Sequence, residues 1–234
     1  LEVNLSKITS IKKDINMVVL PFFYFSNRNQ YEVITYYFNN DKSRYMVVEA
    51  PQRNSVPSAF DYEVIQVLLK FKEAVKREDP TKEEFYCNTW DIAKELKILY
   101  KTKEGKYTLR QKDKLRIIES IKKLRKTNYE LVNLYNVKEI QDDGQKKYSH
   151  KESVTLTILD KLESTEDLFK SDAVFYIKFN DLFLKSIKNK YHFTYELAKL
   201  DAITKSTAKR LFEVRSEEHT SELQSPCNLV CRLL

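Results

Sequence analysis

Apolar side chains recur every three or four positions between residues 58 and 75, a spacing typical of an amphipathic helix. The apolar positions are Phe60, Val64, Val67, Leu68, Phe71 and Val75. Ser58 and Asp61 stand three residues apart at the start of this stretch, in the arrangement of a capping box. The pattern therefore predicts a helix that begins after Ser58 and buries one face.

Before this helix, short stretches rich in aromatic and β-branched residues predict strands. MVVLPFFYF (residues 17–25) is one such stretch, and YEVITYYF (residues 31–38) and SRYMVVEA (residues 43–50) are two more. The polar tetrapeptide NNDK separates the last two. We therefore expect a strand over residues 17–25, followed by a β-hairpin.

Two further helices and a second hairpin are predicted after the first helix. Thr89 is a candidate N-cap for the helix WDIAKELKI, and Thr108 with Gln111 matches a capping box for the helix TLRQKDKLRIIESIKKLRK (residues 108–126). The apolar stripe of this last helix consists of Leu115, Ile117, Ile118 and either Ile121 or Leu124. YELVNLY (residues 129–135) and VTLTILDKL (residues 154–162) predict strands joined by a polar turn.

This order of elements predicts the fold class. A helix-turn-helix followed by a β-ribbon is the winged-helix arrangement, so we expect an α+β chain with a winged-helix module preceded by a β-hairpin. The strand-like stretch AVFYIKF and the helical patterns NDLFLKSI (residues 180–187) and YELAKLDAITKSTAKRLFEV (residues 195–214) indicate the truncated start of a second winged-helix module. The expected divisions are an N-terminal extension (1–16), a hairpin with the first winged helix (17–165), and the second module (172–214).

The last twenty residues differ in character from the rest of the chain. RSEEHTSELQSPCNLVCRLL (residues 215–234) resembles the forward translation of a common sequencing-adapter DNA, with residues 226–228 at the place of its variable index. We therefore expect residues 215–234 to be an artefact without fixed structure, and a real acidic tail is the alternative. Since the chain begins with Leu1 rather than Met, we also expect it to be a fragment.

Composition narrows the function classes. The whole chain has 41 Lys and Arg residues and 34 Asp and Glu residues. The last twenty residues hold two basic and three acidic side chains. The first 214 residues, which we call the body, therefore have 39 basic and 31 acidic side chains. The sequence has only two Gly, which excludes a Gly-rich phosphate loop. Cys87 is the one cysteine of the body, so we expect neither a disulfide framework nor a Cys-based zinc site.

No constellation in the sequence indicates chemistry on a substrate. His150 and His192 are far apart in sequence, and Asp142 with Asp143 fits a turn before Gly144 better than a metal site. The longest apolar run is too short to span a membrane. We expect a cytoplasmic, non-enzymatic protein without a cofactor, a metal or a membrane partner.

The positive charge is concentrated in the third helix and the second hairpin. A basic helix in third position of a winged helix can enter the major groove of double-stranded DNA, with its first residues at base edges and later ones at phosphates. Arg110 and Arg116 are the candidates for bidentate contacts. The full predicted set is Arg110, Lys112, Lys114, Arg116, Lys122, Lys123, Arg125 and Lys126 on the helix, with Lys146, Lys147 and Lys151 on the wing.

Three stretches carry a resemblance to a known family. VPSAFDYEVIQVLLKF (residues 56–71) resembles the P-[ST]-x-F-D-x-x-V helix start of plasmid replication initiators of the replication initiator protein A kind. LPFFYFS (residues 20–26) looks like the LPFF-x-LS strand of those proteins. FTYELAKLDAITKSTAKRLFEV (residues 193–214) is similar to their Y-x-L-x-x-L-x-S-x-x-A-K-R-L-Y-E-L helix.

The resemblance implies two winged-helix modules that bind repeated sites at a plasmid origin and recruit host initiation and helicase-loading proteins; a homodimer is a further possible partner. This sequence stops where the recognition helix of the second module is expected to begin, so we expect that module to lack its reading helix. Two alternatives stay open: a winged-helix transcriptional regulator, and a structural or protein-interaction module with an incidental basic face.

Overall fold

The chain has an α+β fold in which helices pack against small antiparallel sheets. The computed structural model describes residues 5–25, 31–39, 41–51, 55–140, 146–164, 173–188 and 192–218; for residues 135–152 the description covers the backbone. Buried apolar side chains from Leu5 to Leu200 belong to one continuous core. Chain segments from both ends of the sequence therefore contribute to the same interior.

The helices are α1 (Ile15–Val19), α2 (Ala59–Glu78), α3 (Thr89–Glu95), α4 (Gln111–Lys126), α5 (Lys185–Lys188), α6 (Leu197–Asp201) and α7 (Ser206–Glu218). The strands are β1 (Ser10–Asp14), β2 (Val33–Phe38), β3 (Asp41–Glu49), β4 (Glu84–Asn88), β5 (Tyr100–Lys101), β6 (Tyr107–Thr108), β7 (Asn128–Ile140), β8 (Lys146–Leu156), β9 (Leu159–Ser164), β10 (Val174–Phe179) and β11 (His192–Glu196). A short 3-10 helix, Leu5–Lys7, precedes β1.

The strands form four antiparallel sheets within the described part of the chain. Their orders are β2-β3-β7-β8, β4-β10-β9, β1-β11 and β5-β6. The predicted hairpin of residues 31–50 is confirmed as β2 and β3, and it continues the sheet of the second hairpin, β7 and β8. The N-terminal β1 pairs with β11 near the other end of the chain, so close packing joins distant segments.

Helix α2 is the central helix, and its start is as predicted. The Ser58 backbone N–H and hydroxyl both donate to the Asp61 carboxylate, at 2.7 and 2.9 Å, and the capping box is confirmed. The predicted apolar face is buried or half-buried. Additional side chains on other sides of the helix are also buried, including Tyr62, Ile65 and Leu69. Because it is covered on several sides, α2 organises the core.

Four local predictions are wrong. The strand expected over residues 154–162 is divided between β8, which ends at Leu156, and β9, which begins at Leu159. Residues 17–25 do not form a strand: they contain the end of α1 and an irregular segment, because Pro21 lacks the backbone N–H that a helix or ladder needs. The N-cap of α3 is Asn88, whose side chain accepts from the Asp91 N–H at 2.7 Å. Thr108 lies in β6, and α4 begins after Arg110 without a side-chain cap.

The order of helices and hairpin follows the predicted module, but its connections differ from a simple helix-turn-helix. That motif joins its helices through three or four residues, whereas the β5-β6 hairpin stands between α3 and α4. Gly105, at a φ of +83°, occupies the turn of this hairpin, a conformation that glycine adopts without strain. Strand β4, from the expected first module, pairs with β10, from the expected second one.

A buried ionic cluster connects the two ends of the chain. The Lys13 ammonium of β1 donates to the Glu213 carboxylate of α7. The Tyr62 hydroxyl of α2 lies 3.5 Å from the Lys13 nitrogen, and the Tyr195 ring centroid lies 5.3 Å from it. Arg210 approaches the other Glu213 oxygen at 3.6 Å. Lys13 is fully buried, so the cluster holds α7 against β1 and α2.

This cluster predicts a pH dependence of stability. An unpaired lysine in water has a pKa of 10.5. Burial lowers the pKa of Lys13 to about 8, although the nearby Glu213 carboxylate acts in the opposite direction and raises it. Between these values the unfolded state binds one more proton, so the free energy of unfolding rises with pH. We expect the wild type to gain about 1–2 kcal/mol relative to Lys13→Met between pH 7.5 and 9.5, measured by urea denaturation. A constant difference between the two proteins would contradict this assignment.

Candidate nucleic-acid interface

Helix α4 presents a basic face to solvent because its apolar stripe faces the core. Ile117, Ile118, Ile121 and Leu124 are buried, and the helix packs against α2 and α3. On the opposite side, Lys112, Arg116, Lys122 and Lys126 are exposed, while Arg125 is half-buried on the flank. We define the basic face of α4 as these five cations together with Arg110, which is exposed at the N-cap position. The face extends along the whole helix.

The two arginines predicted to make bidentate contacts are each stacked on an aromatic ring. The Arg110 guanidinium lies 4.3 Å from the Tyr100 ring centroid in β5. The Arg116 guanidinium lies 3.7 Å from the Phe60 ring centroid in α2. Stacking uses the flat face of the guanidinium and leaves its edge N–H groups available as a fork of donors. The structure therefore orients both forks before any ligand is bound.

Two of the predicted lysines have partners within the protein. Lys114 is only 7% exposed and engaged internally. Lys123 lies 3.2 Å from the Asp61 carboxylate, the same group that caps α2, and its side chain is 18% exposed. The ammonium of Lys123 thus fixes α4 to the start of α2. For these two side chains the geometry favours a structural role, and a DNA contact stays an untested prediction.

The burial of Lys114 can be predicted from helical spacing in the sequence. Lys114 precedes Ile117 by three positions and Ile121 by seven, so it falls on the buried stripe. By contrast, the sequence contains no comparable signal for Tyr100 as a partner of Arg110. Tyr100 belongs to a two-residue strand, and only the closing of the β5-β6 hairpin brings it beside the N-terminus of α4.

The second hairpin extends beyond the sheet at its base. Strand β3 pairs with β7 over residues 128–132. Within the part of the chain that the structure describes, the backbone of residues 135–140 pairs with residues 146–151 of β8 and with no other strand. At about 3.3 Å per residue, this two-stranded extension is roughly 20 Å long. Lys146, Lys147 and Lys151 belong to its β8 strand; their side chains lie outside the described residues, so their predicted DNA contacts stay predictions.

The remaining predictions concern Cys87, metal sites, membrane spans and the last twenty residues. Cys87 is buried as expected, and burial raises the pKa of its thiol. Within the described ranges, no group of three or more His, Cys, Asp and Glu side chains could hold a metal ion, and no helix combines the length and apolar character of a membrane span. Helix α7 continues to Glu218, four residues into the segment expected to lack fixed structure; residues 219–234 lie outside the described residues.

Comparison with known proteins shows a fold relationship. No protein-family model matches the chain, and no curated protein matches it. The chain is similar to a crystal structure of domains 2 and 3 of RctB, with 12% sequence identity and a TM-score of 0.55 over 88% of this chain and 71% of that chain. Another crystal structure of RctB domains 2–3 matches with 12% identity and a TM-score of 0.45, over 73% of this chain and 58% of that one. The chain therefore shares its fold with this pair of RctB domains.

Proposed function

We propose that this chain binds double-stranded DNA sequence-specifically and initiates replication at a plasmid origin. The observation that carries the proposal is the basic face of α4, with two guanidinium forks already oriented by aromatic rings. RctB, which shares the fold, is a replication initiator. Because one fold hosts many functions, the shared fold by itself does not fix the function, and the proposal rests on the basic face. The family resemblance of residues 20–26, 56–71 and 193–214 supports the same function.

In the proposed complex, α4 lies in the major groove as the recognition helix of a winged-helix module. Arg110, at its N-terminal end, reaches a base edge, where a guanidinium can bind guanine O6 and N7 together. Lys122 and Lys126, about three and four turns later, reach phosphates. The two-stranded extension of β7 and β8 lies along the adjacent backbone. Host initiation and helicase-loading proteins and a second copy of the chain are the further partners that the family resemblance suggests.

The first test is the salt dependence of DNA binding. Each neutralised phosphate contributes about 0.9 to the slope of log affinity against log salt concentration. If five cations of the basic face contact phosphates, affinity for a duplex should fall roughly several hundredfold between 50 and 200 mM salt. Fluorescence anisotropy with a labelled duplex of mixed sequence, titrated at several salt concentrations, measures this slope. Affinity that is independent of salt would remove the proposal and favour the protein-interaction module.

The second test separates base contacts from phosphate contacts. Arg110→Ala should cost about 1–3 kcal/mol on the preferred site and relax preference at one base position. Lys122→Ala or Lys126→Ala should weaken binding to all duplexes alike and lower the salt slope by about one. Lys82→Ala is a matched control, since it removes one exposed positive charge outside α4. If Arg110→Ala and Lys126→Ala have the same effect on sequence preference, α4 contacts only the backbone.

A further inference from the structure

One carboxylate interrupts the basic face of α4. Glu119 is exposed and stands between Arg116, three residues earlier, and Lys122, three residues later. Lys112 and Lys126 lie seven residues away on either side, which places them on the same side of the helix. Glu119 is thus an acidic side chain in the middle of a row of cations.

Glu119 makes no ion pair or hydrogen bond within the described residues, although three cations stand at helical pairing distance along the chain. Residues three or four apart on a helix are neighbours and form ion pairs. Arg116 instead stacks on Phe60, and Lys123 contacts Asp61 at 3.2 Å. Two of the three cations that could neutralise Glu119 are therefore engaged elsewhere, and Glu119 forms no ion pair with the third, Lys122, within the described residues. Its exposed carboxylate keeps its acceptor oxygens open.

A carboxylate in this position is repelled by DNA phosphates, and it can accept hydrogen bonds from only some base edges. An ionised carboxylate accepts hydrogen bonds and donates none. In the major groove, cytosine presents only a donor, its N4 amino group, whereas guanine presents the acceptors N7 and O6. Adenine presents its N6 donor beside the N7 acceptor, so cytosine is the base edge that suits a carboxylate best. A Glu side chain that reaches the groove floor is thus attracted by cytosine and repelled by guanine.

We infer that Glu119 is a specificity-determining residue that selects cytosine at one position of the bound duplex. The inference rests on the proposed function, because it requires α4 to lie in the major groove. Glu119 weakens binding to unrelated DNA through repulsion from phosphates, and recovers that loss where a cytosine amino group meets it. The residue therefore contributes discrimination, while the surrounding cations contribute affinity.

The experiment compares the unsubstituted chain with Glu119→Gln and Glu119→Ala on a randomised duplex library. Single-base-pair variants of the selected site are then tested with the same three proteins. The wild type should bind roughly ten- to hundredfold more weakly when one particular cytosine is replaced. Both variants should lose that cytosine preference while binding unrelated duplexes more tightly, by roughly fivefold or less. Glu78→Gln, an exposed position at the end of α2, makes the same charge change outside α4 and should retain the wild-type preference.

The outcomes separate this inference from the proposed function. If the wild type binds duplexes but both Glu119 variants retain its base preferences, Glu119 is only a repulsive surface charge and the inference fails alone. If the wild type shows no duplex binding, the proposed function fails and the inference fails with it. Loss of one cytosine preference in both variants, but not in Glu78→Gln, supports the assignment. Thermal unfolding of each variant checks that the fold is intact.

Discussion

Glu213→Ala should reduce the free energy of unfolding by about 3–5 kcal/mol, the cost of leaving one member of a buried ion pair without its partner. Glu213 is fully buried in α7 and accepts from the Lys13 ammonium in β1, while Arg210 approaches its second oxygen. Without this carboxylate, the buried ammonium must lose its proton or draw water into the core. Urea denaturation at pH 7 measures the loss.

The control replaces both charges by apolar groups. In the double variant Lys13→Met with Glu213→Leu, neither buried charge remains, and such replacements are often neutral or stabilising. We therefore expect the double variant to recover most of the stability that Glu213→Ala loses. If the double variant is as unstable as the single one, the cluster stabilises the protein by side-chain packing, and the ion pair is incidental.

Phe22→Ala should destabilise the protein by a similar amount, about 3–5 kcal/mol. Phe22 is 2% exposed, and its ring lies 4.8 Å from that of Tyr129 in β7 and 5.7 Å from that of Phe183 between β10 and α5. The substitution removes one ring from a three-ring contact and leaves a cavity. Denaturation followed by circular dichroism measures the change.

The same variant tests whether the chain behaves as one folding unit. Phe22 connects the N-terminal segment to residues on both sides of the division expected between 165 and 172. We expect one cooperative transition in which all probes move together. Phe22→Leu, which retains most of the apolar volume, should cost less than Phe22→Ala. Two separate transitions in the wild type, with only one affected by Phe22→Ala, would argue for independent modules.

The sequence identified those elements whose signal is local. The apolar spacing of residues 58–75 and the Ser58–Asp61 pair predicted α2, because a helix is defined by neighbours three and four residues apart. The aromatic and β-branched residues of 31–50, with the polar tetrapeptide NNDK between the two stretches, predicted the β2-β3 hairpin. The short apolar run 17–25 was misassigned as a strand, since periodicity does not distinguish a strand from a buried helix end in so few residues.

For the candidate site, the sequence identified the basic helix. It did not show which of its charged side chains stack on a ring or form an ion pair. It predicted eight basic residues on or beside α4, and helical spacing alone already places Lys114 on the buried stripe. The positions of Arg110 and Arg116 depend on Tyr100 and Phe60, which belong to other elements. The pairing of Lys123 with Asp61 likewise depends on how α4 crosses α2.

The sequence by itself determined α2, α4, the β2-β3 and β7-β8 hairpins and the concentration of positive charge on α4, because periodicity and composition are properties of short segments. The tertiary structure alone decided which segments meet. Strand β10 lies against β4, and Lys13 meets Glu213 across 200 positions of the chain. Such contacts depend on how buried faces fit together in three dimensions, and residue spacing carries no record of that fit. The same packing decides which of the cations on α4 remain exposed for a polyanion.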